Sequence, residues 1–325
     1  MKIFSGTSNR PLAEMICKQL NIELCELYLH TFPSGEKYCQ YKTNIRGEDI
    51  FLIQSGSNPV NDNLMELLIM CDAARRASAK TITVVCPIFF YQRQERKDKP
   101  RVPISAKLVM DMIGCAGATR IVTLDLHAAQ IQGFTNLPVD QLSFKPALVN
   151  ALKNDKVDCV VAPDIGAVKR AEEYASAFNV DLVVISKKRK SDSDVELQHF
   201  IGDVKGRNVL IVDDMTESGG TLLQAAIACK KQKAKKVYCG ITHGCFKRRP
   251  YDVLVDGDFA NALVGWKTGK GRVAPYIDKL FVSNSIDFPK YSRMENKVIP
   301  VDMSYWFATA IRNITNNQSV TQLFQ

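Results

Sequence analysis

The sequence predicts an α/β fold, with parallel sheets flanked by helices, in two tandem domains. Short, β-branched apolar runs alternate with segments of helical apolar spacing along most of the chain, the pattern of strands joined by crossover helices. The order of these runs in the first half recurs in the second. At 325 residues and 46% hydrophobic content, the chain is long enough to bury two cores of ordinary domain size.

Met1-Lys2-Ile3-Phe4-Ser5-Gly6 runs straight into a first short strand. Further strands are predicted at 50–53, 81–86, 120–124, 159–162, 182–185, 209–212, 237–241 and 279–282, because each is a short apolar run. Helical spacing fills 11–20, 64–77, 104–116, 167–177 and 222–231. Strand 50–53, the loop with Ser55-Gly56, helix 64–77 and strand 81–85 parallel strand 209–212, the loop 218–220, helix 222–231 and strand 237–241. A duplicated domain accounts for this, with the acidic pair Asp213-Asp214 lost from the first copy. Polar, turn-prone residues at 141–145 put the boundary between a domain of 1–143 and one of 144–325, whose final helix can pack back on the first.

Lysine and arginine outnumber aspartate and glutamate 43 to 34, a formal charge of +9 spread along the chain rather than massed in a tail. This suits anionic small ligands better than nucleic acid. The ten cysteines fall mostly in apolar runs with no Cys-x-x-Cys pair, as reduced core residues do. No apolar run approaches the roughly 20 residues of a membrane span, so the expectation is a cytoplasmic chain with no membrane partner. Gly265-Trp266-Lys267-Thr268-Gly269-Lys270-Gly271 is one residue short of a P-loop between its glycines. It also lacks the Ser/Thr after lysine and opens no apolar helix, so it reads as a basic surface loop.

The chemistry concentrates in 209–221. A buried strand leads into Asp213-Asp214, then Met215, Thr216, Glu217, Ser218, Gly219, Gly220 and Thr221, and then a helix. Small residues let backbone N–H groups close on phosphate oxygens, two hydroxyls assist, and the helix N-terminus favours negative charge. Adjacent carboxylates would repel that phosphate, so they suit sugar hydroxyls or a hydrated Mg²⁺. Helix capping alone does not explain two acids at the end of a strand. A ribose phosphate satisfies both halves, and the stretch resembles the ribose-phosphate loop of type I phosphoribosyltransferase-like proteins. A second charged stretch, Tyr91-Gln92-Arg93-Gln94-Glu95-Arg96-Lys97-Asp98-Lys99-Pro100-Arg101, follows strand 81–86 at the sheet edge where open α/β folds bind ligands.

With its continuation Val102-Pro103-Ile104-Ser105-Ala106-Lys107, this second stretch resembles the ATP-binding loop of the phosphoribosyl pyrophosphate synthetases. Gln54-Ser55-Gly56, the run from Asn61 to Leu68, Leu124-Asp125-Leu126-His127 through Phe134, Pro163-Asp164, Lys187 to Lys190 and Thr242-His243-Gly244 are similar to motifs of the same family. The resemblance covers most of residues 1–246. It implies two type I phosphoribosyltransferase-like domains, ATP at Phe32, Ser34, Glu36, Arg93, Gln94, Lys97, Asp98 and His127, and ribose 5-phosphate at Asp213, Asp214, Glu217, Ser218, Gly219, Gly220 and Thr221. Asp125, His127 and Asp164 are the implied ligands of Mg²⁺, with His127 and Asp164 contributed by different domains. Lys187 and Arg189 are the implied catalytic cations, because charge accumulates on a phosphoryl group in transfer. Phe32-Pro33-Ser34-Gly35-Glu36 resembles a loop that one subunit lends to its neighbour's ATP site, which implies a homo-oligomer built on dimers, up to a hexamer.

Some positions depart from the family's pattern. Glu217 stands where aspartate is usual, Thr135 and Asn136 where an aromatic and an acid are usual, and Ala167 where glycine is common. Nothing carries over at 247–278, which differs from the family in length and content. The implied reaction is transfer of the β,γ-diphosphoryl group of ATP to the 1-hydroxyl of ribose 5-phosphate. A phosphoribosyltransferase would use the 213–221 loop, but not the ATP loop or the duplicated domain. A non-catalytic synthetase-like regulatory subunit is the other alternative; such a chain should have lost ligands, whereas His127, Asp164, Lys187, Arg189 and Asp213 are all present.

Overall fold

A computed structural model of the chain describes residues 1–188, 197–217, 219–245, 276–287 and 297–323. The strands are β1 (Lys2–Ser5), β2 (Leu27–Thr31), β3 (Lys37–Tyr41), β4 (Asp49–Ile53), β5 (Thr81–Cys86), β6 (Arg120–Leu124), β7 (Val139–Leu142), β8 (Cys159–Ala162), β9 (Asp181–Lys188), β10 (Leu197–Ile201), β11 (Asn208–Thr216), β12 (Lys236–Gly244), β13 (Lys279–Ser283) and β14 (Val298–Val301). The helices are α1 (Arg10–Leu20), α2 (Val60–Arg76), α3 (Ser105–Ala116), α4 (Lys145–Ala151), α5 (Val168–Phe178), α6 (Gly220–Lys231) and α7 (Ser304–Thr315).

The chain divides into two compact units. The first comprises Met1–Phe144 with Asn284–Asp287 and Asp302–Gln325; the second comprises Lys145–Ser283 with Phe288–Val301. In the first, a parallel sheet of order β1-β4-β5-β6-β7 is joined by a separate antiparallel hairpin, β2-β3. In the second, the order is β10-β9-β8-β11-β12-β13-β14, parallel except where β10 runs against β9. Taken in chain order, β1, β4, β5, β6 and β7 and then β8, β11, β12, β13 and β14 repeat one parallel arrangement, with an antiparallel pair after the first strand of each. Even the ends of the first helices agree: α1 stops at Asn21 and α5 at Asn179, both left-handed with φ of 56° and 53°, where asparagine is tolerated better than most side chains.

The central strands are apolar at nearly every position because both of their faces are covered. Phe4, Leu52, Val84 and Ile121 pack with Leu67 and Met70 of α2 and Ile113 of α3 in the first core. Val161, Ile211, Val237 and Cys239 pack with Leu222, Ala226 and Cys229 of α6 in the second. Cys17, Cys71, Cys86, Cys159, Cys229 and Cys239 are buried and unbonded. Burial pushes the Cys71 and Cys229 thiols up to about 12, so they act as packing groups rather than nucleophiles. No helix among the described residues is long and apolar enough to cross a membrane.

Several elements differ from the sequence expectation. Residues 141–145 are not a polar turn: Gln141 and Leu142 close the first sheet in β7, and Lys145 opens α4. β7 is an edge strand, so polar residues are tolerated in it, and Asp140 takes an ion pair from Arg120. β11 and β12 run on to Thr216 and Gly244, so Asp213 and Asp214 stay within the strand instead of starting a turn; Asp213 pairs with Ile241 and Met215 with His243. β9 likewise continues through Lys187. The 265–271 loop lies outside the described residues.

Candidate active site

In the second unit, the end of β11, the turn after it and the start of α6 carry the predicted ribose-phosphate residues. Asp214 is buried and Asp213 and Glu217 are half-buried. Arg170, in the first turn of α5, reaches both acids: Nη1 lies 3.1 Å from Asp214 Oδ1 and 3.5 Å from Asp213 Oδ1. Asp213 Oδ1 also accepts the Asp214 backbone N–H at 3.0 Å. Burial, and after it the neighbouring Asp214 charge, push the Asp213 carboxyl up to about 7, against the opposing pull of Arg170. Gly219 then caps α6 in the left-handed region, with φ of 69°, a conformation that a side chain would strain. Its N–H donates to Thr216 Oγ1 at 3.0 Å. Gly220 and Thr221 are exposed at the start of the helix, where the helix dipole favours an anion. Ser218 lies outside the described residues.

Asp164, two residues past β8, caps a short 3-10 turn, Ile165–Ala167, accepting the Ala167 N–H on Oδ1 at 3.1 Å. Lys187 lies in β9, where only its backbone is described, and Arg189 lies outside the described residues.

In the first unit, β5 and β6 are parallel neighbours, so the loops that follow them leave from the same sheet edge. After β5, the buried Ile88, Phe89 and Phe90 anchor the chain. Tyr91 turns it with φ of 51°, and Arg93, Gln94, Lys97 and Asp98 are exposed. Gln94 Oε1 accepts from Ser105 Oγ at 2.6 Å, which ties the loop to the start of α3. After β6, Asp125 takes a φ of 30° and its Oδ2 accepts the Phe144 N–H at 3.3 Å. His127 is exposed next to it, with its backbone N–H donating to Gln92 Oε1 at 2.9 Å. Phe32, Ser34 and Glu36 form the tip of the β2-β3 hairpin. The Phe32 N–H donates to the Glu36 carbonyl at 2.9 Å, and Ser34 Oγ donates to Glu36 Oε2 at 2.9 Å. Phe32 is 44% exposed, and with His30 and Tyr38 it forms an exposed aromatic face.

In the first unit, the β4–α2 loop is the counterpart of the predicted ribose-phosphate stretch and is filled differently. Gln54 stands where the repeat has Asp213. Its Oε1 accepts from Ser8 Oγ at 2.6 Å, and its Nε2 donates to Glu66 Oε1 at 2.9 Å. Buried Glu66 also accepts from Thr7 N and Oγ1 at 2.7 and 2.8 Å, and lies 3.5 Å from Lys37 Nζ. The chain's own side chains therefore occupy the place where the other loop keeps its carboxylate pair.

Among the described residues, no three His, Cys, Asp or Glu side chains gather into a cage for a metal ion. A hydrated Mg²⁺ held by one or two carboxylates and by substrate phosphates needs no such cage. Half-buried Asp125 and Asp164 offer the oxygen donors it prefers. Two residues escaped sequence reasoning, Arg170 and Gln92. Arg170 sits 44 residues from the acid it pairs with, and Gln92 sits 35 residues from the histidine it holds, so no local spacing announces either.

Residues 1–117 match the family model described as the N-terminal domain of ribose phosphate pyrophosphokinase, and residues 147–260 match the phosphoribosyl transferase domain. A ribose-phosphate pyrophosphokinase of Agrobacterium fabrum is 42% identical over 329 residues, covering 100% of both chains. One from Fusobacterium nucleatum is 38% identical over 330 residues, covering 100% of this chain and 98% of the relative. The crystal structure of a phosphoribosylpyrophosphate synthetase from Mycobacterium smegmatis superposes with a TM-score of 0.85 at 32% identity, covering 97% of this chain and 99% of that one.

Proposed function

The chain belongs to the ribose-phosphate pyrophosphokinase family, and from that premise we propose how its residues transfer the β,γ-diphosphoryl group of ATP to the 1-hydroxyl of ribose 5-phosphate. The products are phosphoribosyl pyrophosphate and AMP, for nucleotide biosynthesis. The observation that carries the reading is the carboxylate pair Asp213-Asp214 on β11, held by Arg170 and followed by the Gly219 cap of α6. Acids and anion cradle follow one another from the end of β11 into the start of α6, which suits a sugar at one end and its phosphate at the other.

In this reading, the 5-phosphate sits on the turn made by Gly219, against the backbone N–H groups of Gly220 and Thr221, with the Ser218 and Thr221 hydroxyls beside them. Asp213, Asp214 and Glu217 accept from the ribose hydroxyls and fix the 1-oxygen for attack. That oxygen gives up its proton to water and bonds to the β-phosphorus, the bond from the β-phosphorus to the α,β-bridging oxygen breaks, and AMP leaves with the electron pair. Lys187 and Arg189 stabilise the charge on the group in transfer. ATP takes Arg93, Gln94, Lys97, Asp98 and His127 of the first unit. Asp125, His127 and Asp164 are the residues that would hold Mg²⁺, which supplies neutralisation of phosphate charge. The exposed tip residues Phe32, Ser34 and Glu36 serve the ATP site of a second copy, so the active form is a homo-oligomer built on dimers, and cytoplasmic location belongs to the same proposal.

The test is AMP formation from ATP by the purified chain, with and without ribose 5-phosphate. AMP that appears only with the sugar phosphate supports the reading. No AMP from folded protein would instead make the chain a non-catalytic, synthetase-like subunit.

A further inference from the structure

We propose that Gln92 is a positioning residue that sets His127 against the basic loop Arg93–Lys97, so that the two parts of the ATP site in the first unit act together. The proposal rests on the function given above. Gln92 is only 2% exposed, although it stands in a run of charged, exposed residues. Its amide splits into two unlike ends. Oε1 accepts the His127 backbone N–H at 2.9 Å, whereas Nε2 is buried without a hydrogen-bond partner among the described residues. The acceptor end must face the His127 N–H, so turning the amide over would trade one orphan for a donor-donor clash.

A buried amide donor without a partner costs stability, and a methionine would fill the same space without that cost. Packing therefore does not explain a glutamine here, whereas the link to His127 does. The turn after β6 is held toward β7, where the Asp125 N–H donates to the Leu142 carbonyl at 3.0 Å and the Phe144 N–H donates to Asp125 Oδ2. Gln92 ties the same turn to the loop after β5. Gln92 is itself held, because the Gln94 N–H donates to the Tyr91 carbonyl at 2.9 Å and the Tyr91 hydroxyl donates to Asn61 Oδ1. The bond thus joins two rigid turns that leave neighbouring strands at one sheet edge.

The test uses the full-length chain with Gln92→Met, which removes the acceptor, and Gln92→Glu, which keeps it. ATP binding is read by calorimetry without ribose 5-phosphate, alongside both KM values and the melting temperature. Gln92→Met is expected to weaken ATP binding and raise the ATP KM by about tenfold, with the ribose 5-phosphate KM within a factor of about two and the melting temperature unchanged or raised. Gln92→Glu is expected to recover most of the ATP binding. ATP binding at the wild-type level in Gln92→Met overturns the proposal. So does equal loss for both substrates, failure of Gln92→Glu to recover binding, or failure of Gln92→Met to fold, since the role would then be structural. If the wild type binds ATP but forms no AMP, while Gln92→Met still loses that binding, the reading of the reaction fails and the role of Gln92 stands.

Discussion

Asp213 carries two opposing demands in one side chain. Burial and the Asp214 charge raise its pKa to about 7, above the ordinary 3.8, so the folded state binds this proton more tightly than the unfolded chain does. The sign follows: stability is lost as pH climbs from about 3.8 toward 7, and the penalty is complete above that window. Asp213→Asn removes the penalty, so the variant should gain melting temperature over the wild type, and gain more at pH 8 than at pH 5. The opposite order would contradict the account. The same variant should bind ribose 5-phosphate about ten- to a hundredfold more weakly at pH 8, since a charged hydrogen-bond acceptor is gone. Lys187→Ala bears on the chemical step instead: turnover should fall about 10²- to 10³-fold with both KM values nearly unchanged. A raised KM at unchanged turnover would make Lys187 a binding residue. At this scale the sequence is legible where chemistry is local. Asp213-Asp214 stand out because adjacent acids at a strand end need a reason, whereas Arg170 and Gln92 act across the fold on partners far along the chain.

Among the elements, the close approach of the β4–α2 and β5–α3 loops links the first core to the residues proposed to bind ATP. The Gly56 N–H donates to the Ile88 carbonyl at 2.8 Å, and a Cβ at Gly56 would lie 2.8 Å from that oxygen and 2.9 Å from Phe90 N. Both are backbone atoms, so neither can rotate away. Gly56→Ala should therefore cost about 1–3 kcal/mol in chemical denaturation, and raise the ATP KM because Phe90 leads directly into Tyr91 and Gln92. A variant as stable as the wild type would show that the two loops part freely. Buried strands with continuous apolar runs were plain in the sequence. The hairpin β2-β3 was not, because its outward face alternates Tyr28, His30 and Tyr38 with inward Leu29 and Cys39. A half-exposed aromatic face has no strong apolar period. β7 and β14 were missed for a related reason: both are edge strands, and Pro300 sits within β14, where only an edge accommodates it.

For the molecule as a whole, one strand arrangement appears twice and has been put to two uses, with the carboxylate pair in the second copy and a side-chain network around Gln54 and Glu66 in the first. The chain also crosses between its units at matching places: α4 follows β7 and packs with α5 and β14, while α7 follows β14 and packs on α1. The repeat was legible from the order of runs. The sequence also allowed the final helix to pack back on the first domain, but it did not place α4, because nothing local distinguishes a helix that stays from one that crosses. The hairpin tip leads to a prediction about assembly. Mixing inactive Phe32→Ala/Glu36→Ala protein with inactive Lys187→Ala protein should restore part of the activity, because hybrid assemblies contain sites with both a sound tip and a sound lysine. No recovery despite demonstrated subunit exchange, or a fully active monomer in sedimentation, would remove the tip from the neighbouring site. The central claim concerns which bond of ATP is broken, and phosphorus NMR of the reaction with ATP, ribose 5-phosphate and Mg²⁺ reads it directly. The account predicts AMP and a diphosphoryl ester of the sugar in equal amounts, with no ADP; ADP with a sugar bisphosphate, or ATP left intact by folded protein, would contradict it.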